Sequence, residues 1–160
     1  MEKNLNKILL AILAFSILSI FSAYFIEYVL GHKPCKLCLY QRYPYFVSVF
    51  LILNILVLKK YVKLTLLTLA LVSFLGSAIA FYHLGIEQGF FNESLICEAK
   101  NIENNFSKDE LLKSLSENTI SCKTVTFRVF GLSLASINTV LSFILFGIFT
   151  KLYKNYERNK

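Results

Sequence analysis

Residues 8–29 read Ile-Leu-Leu-Ala-Ile-Leu-Ala-Phe-Ser-Ile-Leu-Ser-Ile-Phe-Ser-Ala-Tyr-Phe-Ile-Glu-Tyr-Val, 22 residues broken mainly by Ser and Tyr, with Glu27 near the far end. A helix of that length rises about 33 Å and crosses the ~30 Å of hydrocarbon in a bilayer. A cleaved signal peptide is the competing interpretation. The run is longer than an ordinary signal h-region, and no small-x-small site follows it cleanly, so we read it as a retained transmembrane helix.

Three more runs follow. Leu39–Leu58 gives 20 residues if Arg42 is carried within the interface, whereas Tyr43–Leu58 alone gives 16. Leu64–Leu84 and Val129–Phe149 supply 21 each, the last without a charge. The composition agrees: 160 residues, 56% hydrophobic, mean hydropathy +0.57, too apolar for an ordinary soluble domain. The expectation is an all-α membrane protein, a four-transmembrane-helix bundle in one domain over 1–160. Its spans are about 8–29, 39–58, 64–84 and 129–149, and its exterior loops about 31–42 and 85–128.

The net charge of +7 does not point to nucleic acid, because Lys and Arg gather at the ends of apolar runs and form no stripe with interleaved aromatics. Tyr24, Tyr28, Tyr40, Tyr43, Tyr45, Tyr61 and Tyr153 fall near run ends and read as interfacial anchors. Glu27 reads as solvated at the interface. Nine cations sit in the short termini and the turn Lys59–Lys63, against eight in the two longer loops, where residues 85–128 also carry seven acids. That density puts the termini in the cytoplasm and the loops outside. Within the long loop, Ser107 three residues before Glu110 is a capping-box signature. Leu111, Leu112 and Leu115 then share a face, so a short amphipathic helix is expected there, equally flat on the membrane surface or packed on the ends of the other spans.

Chemistry concentrates in Pro34-Cys35-Lys36-Leu37-Cys38-Leu39-Tyr40-Gln41-Arg42, beside the second span. Two cysteines separated by two residues close a small disulfide or ligate a metal, and neighbouring cations favour the thiolate. Lys36 and Arg42 supply such cations, and in a helix Arg42 shares a face with Cys38 at i+4. All four cysteines, Cys35, Cys38, Cys97 and Cys122, fall in the two exterior loops, which suits an oxidising compartment. Four cysteines allow three pairings. Zinc usually wants two close pairs, and the 24 residues between Cys97 and Cys122 speak against it; no metal is expected. A Cys-x-x-Cys loop is also small for a purely structural staple, so thiol–disulfide exchange is the better reading.

The first motif, the four spans, the late cysteine pair, and Phe130-Gly131-Leu132-Ser133 at the last span together resemble the bacterial disulfide bond formation protein B (DsbB) family over nearly the whole chain. That resemblance implies a multi-pass protein of the bacterial inner membrane, with cysteine loops in the periplasm. It implies a thiol:quinone oxidoreductase that reoxidises a periplasmic DsbA-like thiol oxidase and passes electrons to membrane quinone, ubiquinone or menaquinone. Carried over, Cys97 is the sulfur attacked by the partner, and Cys122 helps to resolve the adduct and then attacks Cys35. Cys38 is thereby released as a thiolate facing quinone, with Arg42 holding that charge and His83 hydrogen-bonding the quinone. On the residues alone, His83 reads equally as an interfacial histidine paired with Glu87 at i+4.

Two other classes remain open on the sequence. A four-helix scaffold or small transporter with structural disulfides would show no quinone dependence. A transporter delivering reductant outward would need cysteines inside spans, and none is there.

Overall fold

The computed structural model describes residues 2–92, 121–125, 127–129 and 131–158. Cys97 and the amphipathic helix expected at 107–115 lie outside these. Among the described residues, four helices are long and apolar enough to cross a membrane: Asn4–Tyr28, Lys36–Leu58, Val62–Glu87 and Leu134–Arg158. The first lies within α1 (Glu2–Tyr28), the second comprises α2 (Lys36–Tyr40) and α3 (Tyr43–Leu58), the third is α4 (Val62–Glu87) and the fourth is α5 (Leu134–Arg158). The fold is the expected four-helix membrane bundle. In it α4 packs most extensively on α5, and α1 on α3.

The second span is interrupted where it carries chemistry. Pro44 stands in the first turn of α3 and has no N–H to donate back to the carbonyl of residue 40. The chain closes α2 with Gln41 N–H to Leu37 (3.0 Å) and Arg42 N–H to Leu39 (3.1 Å), and α3 restarts at Tyr43. Gln41 and Arg42 therefore sit at the break.

The last span starts later than the sequence suggests. Residues expected to open it at 129 instead form a hairpin, β1 (Arg128–Val129) antiparallel to β2 (Leu132–Ser133), and the helix runs from Leu134 to Arg158. Gly131 has φ +83°, a left-handed conformation that glycine adopts without the Cβ penalty, so the chain turns there despite its apolar neighbours. Ser133 then caps α5, its Oγ accepting from Ser136 N–H at 3.1 Å.

Packing inverts the pattern of a soluble protein. Large apolar side chains such as Phe21, Phe50, Leu71 and Phe74 face outward, while Ser16, Ser48, Ser73, Ser77, Thr139 and Ser142 are buried. Lipid is as apolar as Leu, so helices associate by close contact and small or hydroxyl side chains line their interfaces. Gly76 illustrates this, since an added Cβ would stand 3.1 Å from Pro44 Cγ. An apolar cluster of Leu9, Ile12, Leu13, Ile52, Ile55, Leu66, Leu69 and Phe149 fills one half of the bundle. A separate cluster of Cys35, Leu37, Ile86 and Cys122 closes the other end.

Candidate redox site

Cys35 caps α2: its backbone is extended and its sulfur accepts the Cys38 N–H at 3.3 Å. That turn brings the two sulfurs to 2.8 Å. A disulfide is about 2.05 Å long, and sulfurs sharing one tetrahedral zinc at about 2.3 Å each stand about 3.8 Å apart. The donor atoms of Cys35, Cys38 and His83 lie within 4.8 Å of one another, but the short sulfur separation suits bond closure better than a shared ion. Both are free thiols here.

His83, one turn before the end of α4, is 2% exposed. Its Nε2 is 3.5 Å from Cys35 Sγ and 3.8 Å from Glu87 Oε1. Glu87 also accepts from Ser133 Oγ, tying the end of α4 to the cap of α5. The Cys35 thiol is lowered from 9.0 to about 5. The hydrogen bond from Cys38 is the largest cause, and the contacts with His83 and the Cys38 N–H help to outweigh burial. Lys36, expected to supply the stabilising cation, is exposed and not among these causes.

Cys122, 1% exposed, is disulfide-bonded and packs with Cys35, Leu37 and Ile86. A cysteine 84 positions after Cys38 is thus brought against the first pair.

Cys38 packs against the same cluster but reaches a second environment. It lines a cavity of about 200 Å³ between α1, the loop before α2, the α2–α3 break and α5. Ile20, Ile26, Ile137 and Leu141 form apolar walls, and Gln41, Arg42, Tyr45 and Asn138 bring polar groups to it. Cys38 and Arg42 line the same space although the helix is broken between them. His83 is not among the lining residues; its ring stands beside Cys35. Apolar walls with polar groups converging at one side suit a small, largely apolar ligand.

Two side chains have roles that the sequence did not reveal. Glu27 is not simply solvated: its Oε2 accepts from Arg42 Nη1 at 2.5 Å, and the guanidinium lies 4.8 Å over the Tyr24 ring. Tyr45 is not an interfacial anchor but a buried residue whose hydroxyl donates to Asn138 Oδ1 at 2.6 Å. Gln41, Asn138 and the cavity-lining His32 were also missed. Polar groups within or beside apolar spans are the signal that would have singled them out.

A membrane bundle with a Cys-x-x-Cys pair, one cysteine buried and the other half-buried beside an apolar cavity, and a further disulfide packed on that pair, belongs among integral-membrane thiol–disulfide exchangers. The family model described as Disulfide bond formation protein DsbB matches residues 5–152, and the chain belongs to that family. It is also similar to "Uncharacterized protein RP370" of Rickettsia prowazekii (strain Madrid E), 30% identical over 148 residues, covering 90% of this chain and 86% of that protein.

Proposed function

We propose that this protein is a thiol:quinone oxidoreductase of the bacterial inner membrane that reoxidises a DsbA-like thiol oxidase in the periplasm. The observation that carries the reading is the placement of one cysteine pair between two environments: the pair packs in the cluster that holds Cys122, and Cys38, unlike Cys35, also lines the cavity with Arg42. The density of cations at the termini and the 59–63 turn supports cytoplasmic termini and periplasmic cysteine loops.

The partner's thiolate attacks Cys97 of a Cys97–Cys122 disulfide, and Cys122 leaves as thiolate. Cys122 then attacks Cys35 of the oxidised pair, so the Cys35–Cys38 bond breaks and Cys38 leaves as thiolate toward the cavity. The partner's second thiol displaces Cys97, which re-forms its bond to Cys122 and frees Cys35. The reduced pair now holds two electrons for the acceptor. Gln41, Arg42, Tyr45 and Asn138 would hold a quinone in the cavity, which would supply a two-electron, two-proton acceptor as Cys35 and Cys38 re-form their disulfide. Arg42 has five N–H donors, of which one meets Glu27; from the cavity wall the guanidinium can stabilise negative charge developing in the cavity, where exclusion of water strengthens the interaction.

Purified protein in lipid nanodiscs, given a reduced DsbA-like dithiol protein and a short-chain quinone, should lower the quinone absorbance catalytically. Cys38→Ser should abolish quinone reduction, and a reduced partner lacking its second thiol should accumulate an adduct through Cys97 on non-reducing gels, because it expels Cys122 from the disulfide and cannot then displace Cys97. A scaffold with structural disulfides gives neither quinone turnover nor adduct.

A further inference from the structure

Behind the cysteine pair runs a chain of polar side chains with a defined direction. Tyr45 Oη donates to Asn138 Oδ1 at 2.6 Å, and Asn138 Nδ2 donates to Gln41 Oε1 at 2.6 Å. Gln41 Nε2 meets His83 Nδ1 at 2.9 Å, and His83 Nε2 reaches Cys35 Sγ at 3.5 Å. Tyr45, Gln41 and His83 are all buried, so water offers little relief for a mismatched group, and a buried polar group left unpaired is costly.

The direction settles the proton on the ring. A carboxamide nitrogen only donates, so the Gln41 nitrogen requires a lone pair on Nδ1. The single proton of the neutral ring then sits on Nε2. Acceptors converge there: the Cys35 sulfur at 3.5 Å and the Glu87 carboxylate at 3.8 Å. A doubly protonated ring would set an N–H against the N–H of Gln41.

We propose that Gln41, oriented by Asn138 and Tyr45, is a positioning residue that fixes His83 in its Nε2–H tautomer. His83 then serves the Cys35 sulfur as a standing hydrogen-bond donor and not as the base that takes its proton. The inference rests on the redox reading of the cysteine pair, and it moves His83 from quinone contact to thiolate support. The groups facing the ring are Cys35 from the loop, Cys38 from α2, Glu87 from α4, and Cys122. With His83 fixed as donor, the proton lost by Cys35 leaves by a route other than this ring.

The chain has only two histidines, His32 and His83, so ¹⁵N-histidine NMR of the reduced full-length protein reads the tautomer directly, with His32→Gln assigning the signals. His83 should show a protonated Nε2 and a bare Nδ1 at neutral pH. A protonated Nδ1 in the wild-type protein overturns the proposal. Gln41→Glu replaces the donor with an acceptor and should convert the ring to its doubly protonated form. Gln41→Leu should mix the tautomers and raise the midpoint of Cys35 ionisation, followed by thiolate ultraviolet absorbance against Cys35→Ser, by about one pH unit, a tenfold loss of thiolate at a given acidic pH. Asn138→Leu, which acts through Gln41, should move it in the same direction by less. An unchanged midpoint in a folded Gln41→Leu protein also overturns the proposal. These measurements use neither quinone nor partner, so a failure of quinone turnover with the tautomer intact would strike only the oxidoreductase reading.

Discussion

The two ends of the bundle each carry an ion pair between spans, and the pairs differ in setting more than in length. Arg42 meets Glu27 at 2.5 Å with the side chains 13% and 20% exposed, whereas Lys63 meets Glu157 at 2.6 Å with 46% and 51% exposed. The first lies beside the cysteine pair, with Arg42 on the cavity wall and its charge over the Tyr24 ring. The second lies beside the basic turn, between the start of α4 and the end of α5. The same chemistry therefore has two meanings. A guanidinium held away from water keeps its field for whatever enters the cavity, while an exposed ammonium shares its field with solvent and salt.

The largest expected effect breaks the shielded pair. Arg42→Ala removes the guanidinium from the cavity wall and should lower kcat/KM for quinone by about 100-fold, the scale of losing one preorganised donor to developing negative charge. Formation of the partner adduct should be unaffected. Glu27→Ala should weaken quinone use less, because Arg42 keeps its charge but loses the partner that aims it. The double variant should be no worse than Arg42→Ala alone, since residues in one contact act non-additively. Additive losses on a quinone assay would mean that Glu27 acts independently of Arg42.

Why one of these pairs went unseen in the sequence has a physical answer. Apolar runs exposed the spans because bilayer thickness imposes a length that hydropathy registers directly. The cysteine motif was legible because its partners are local, three and seven positions apart from Cys35. Glu27 and Arg42 meet only because α1 and the second span return to the same end, and a hydropathy profile does not say which charge faces which. Gln41, Asn138 and His83 come from three different spans, so their alignment exists only after the helices pack. The start of α5 was misplaced for another reason: Val129, Phe130 and Leu132 are apolar enough to extend a span, while the turn at Gly131 is a backbone property that hydropathy does not register.

An effect of intermediate size tests whether the cysteine end holds a standing charge. The Cys35 pKa is depressed from 9.0 to about 5, so between those values the reduced pair carries one proton and not two. The sign follows. The thiolate's stabilisation of the reduced, folded state is fully present above pH 9, declines as the pH falls, and is lost on passing through about 5. Oxidation of the pair then releases one proton for two electrons, and its midpoint potential should fall by about 30 mV per pH unit between pH 6 and 8, against about 59 mV for a pair that releases two. Redox titration of a Cys97→Ser/Cys122→Ser protein reads the slope. A value near 59 mV across that range would place the Cys35 pKa above it.

The smallest expected effect belongs to the exposed pair. Lys63 Nζ has an acid at 2.6 Å and lies 5.8 Å over the Tyr153 ring, a crowded arrangement on paper. Both long side chains lose rotamer freedom to hold it, however, and water and counterions already solvate each charge, so such pairs contribute little. Lys63→Gln should leave quinone turnover, partner adduct formation and the thermal midpoint in detergent indistinguishable from wild type, at low salt and at high. Lys63→Glu sharpens the contrast by setting a like charge against Glu157; any loss of thermal stability it causes should shrink as salt screens the repulsion, and turnover should be unaffected. If Lys63→Gln instead lowered quinone turnover as Arg42→Ala does, the two ends would be energetically coupled, and shielding from water would not be what separates a working charge from a spectator.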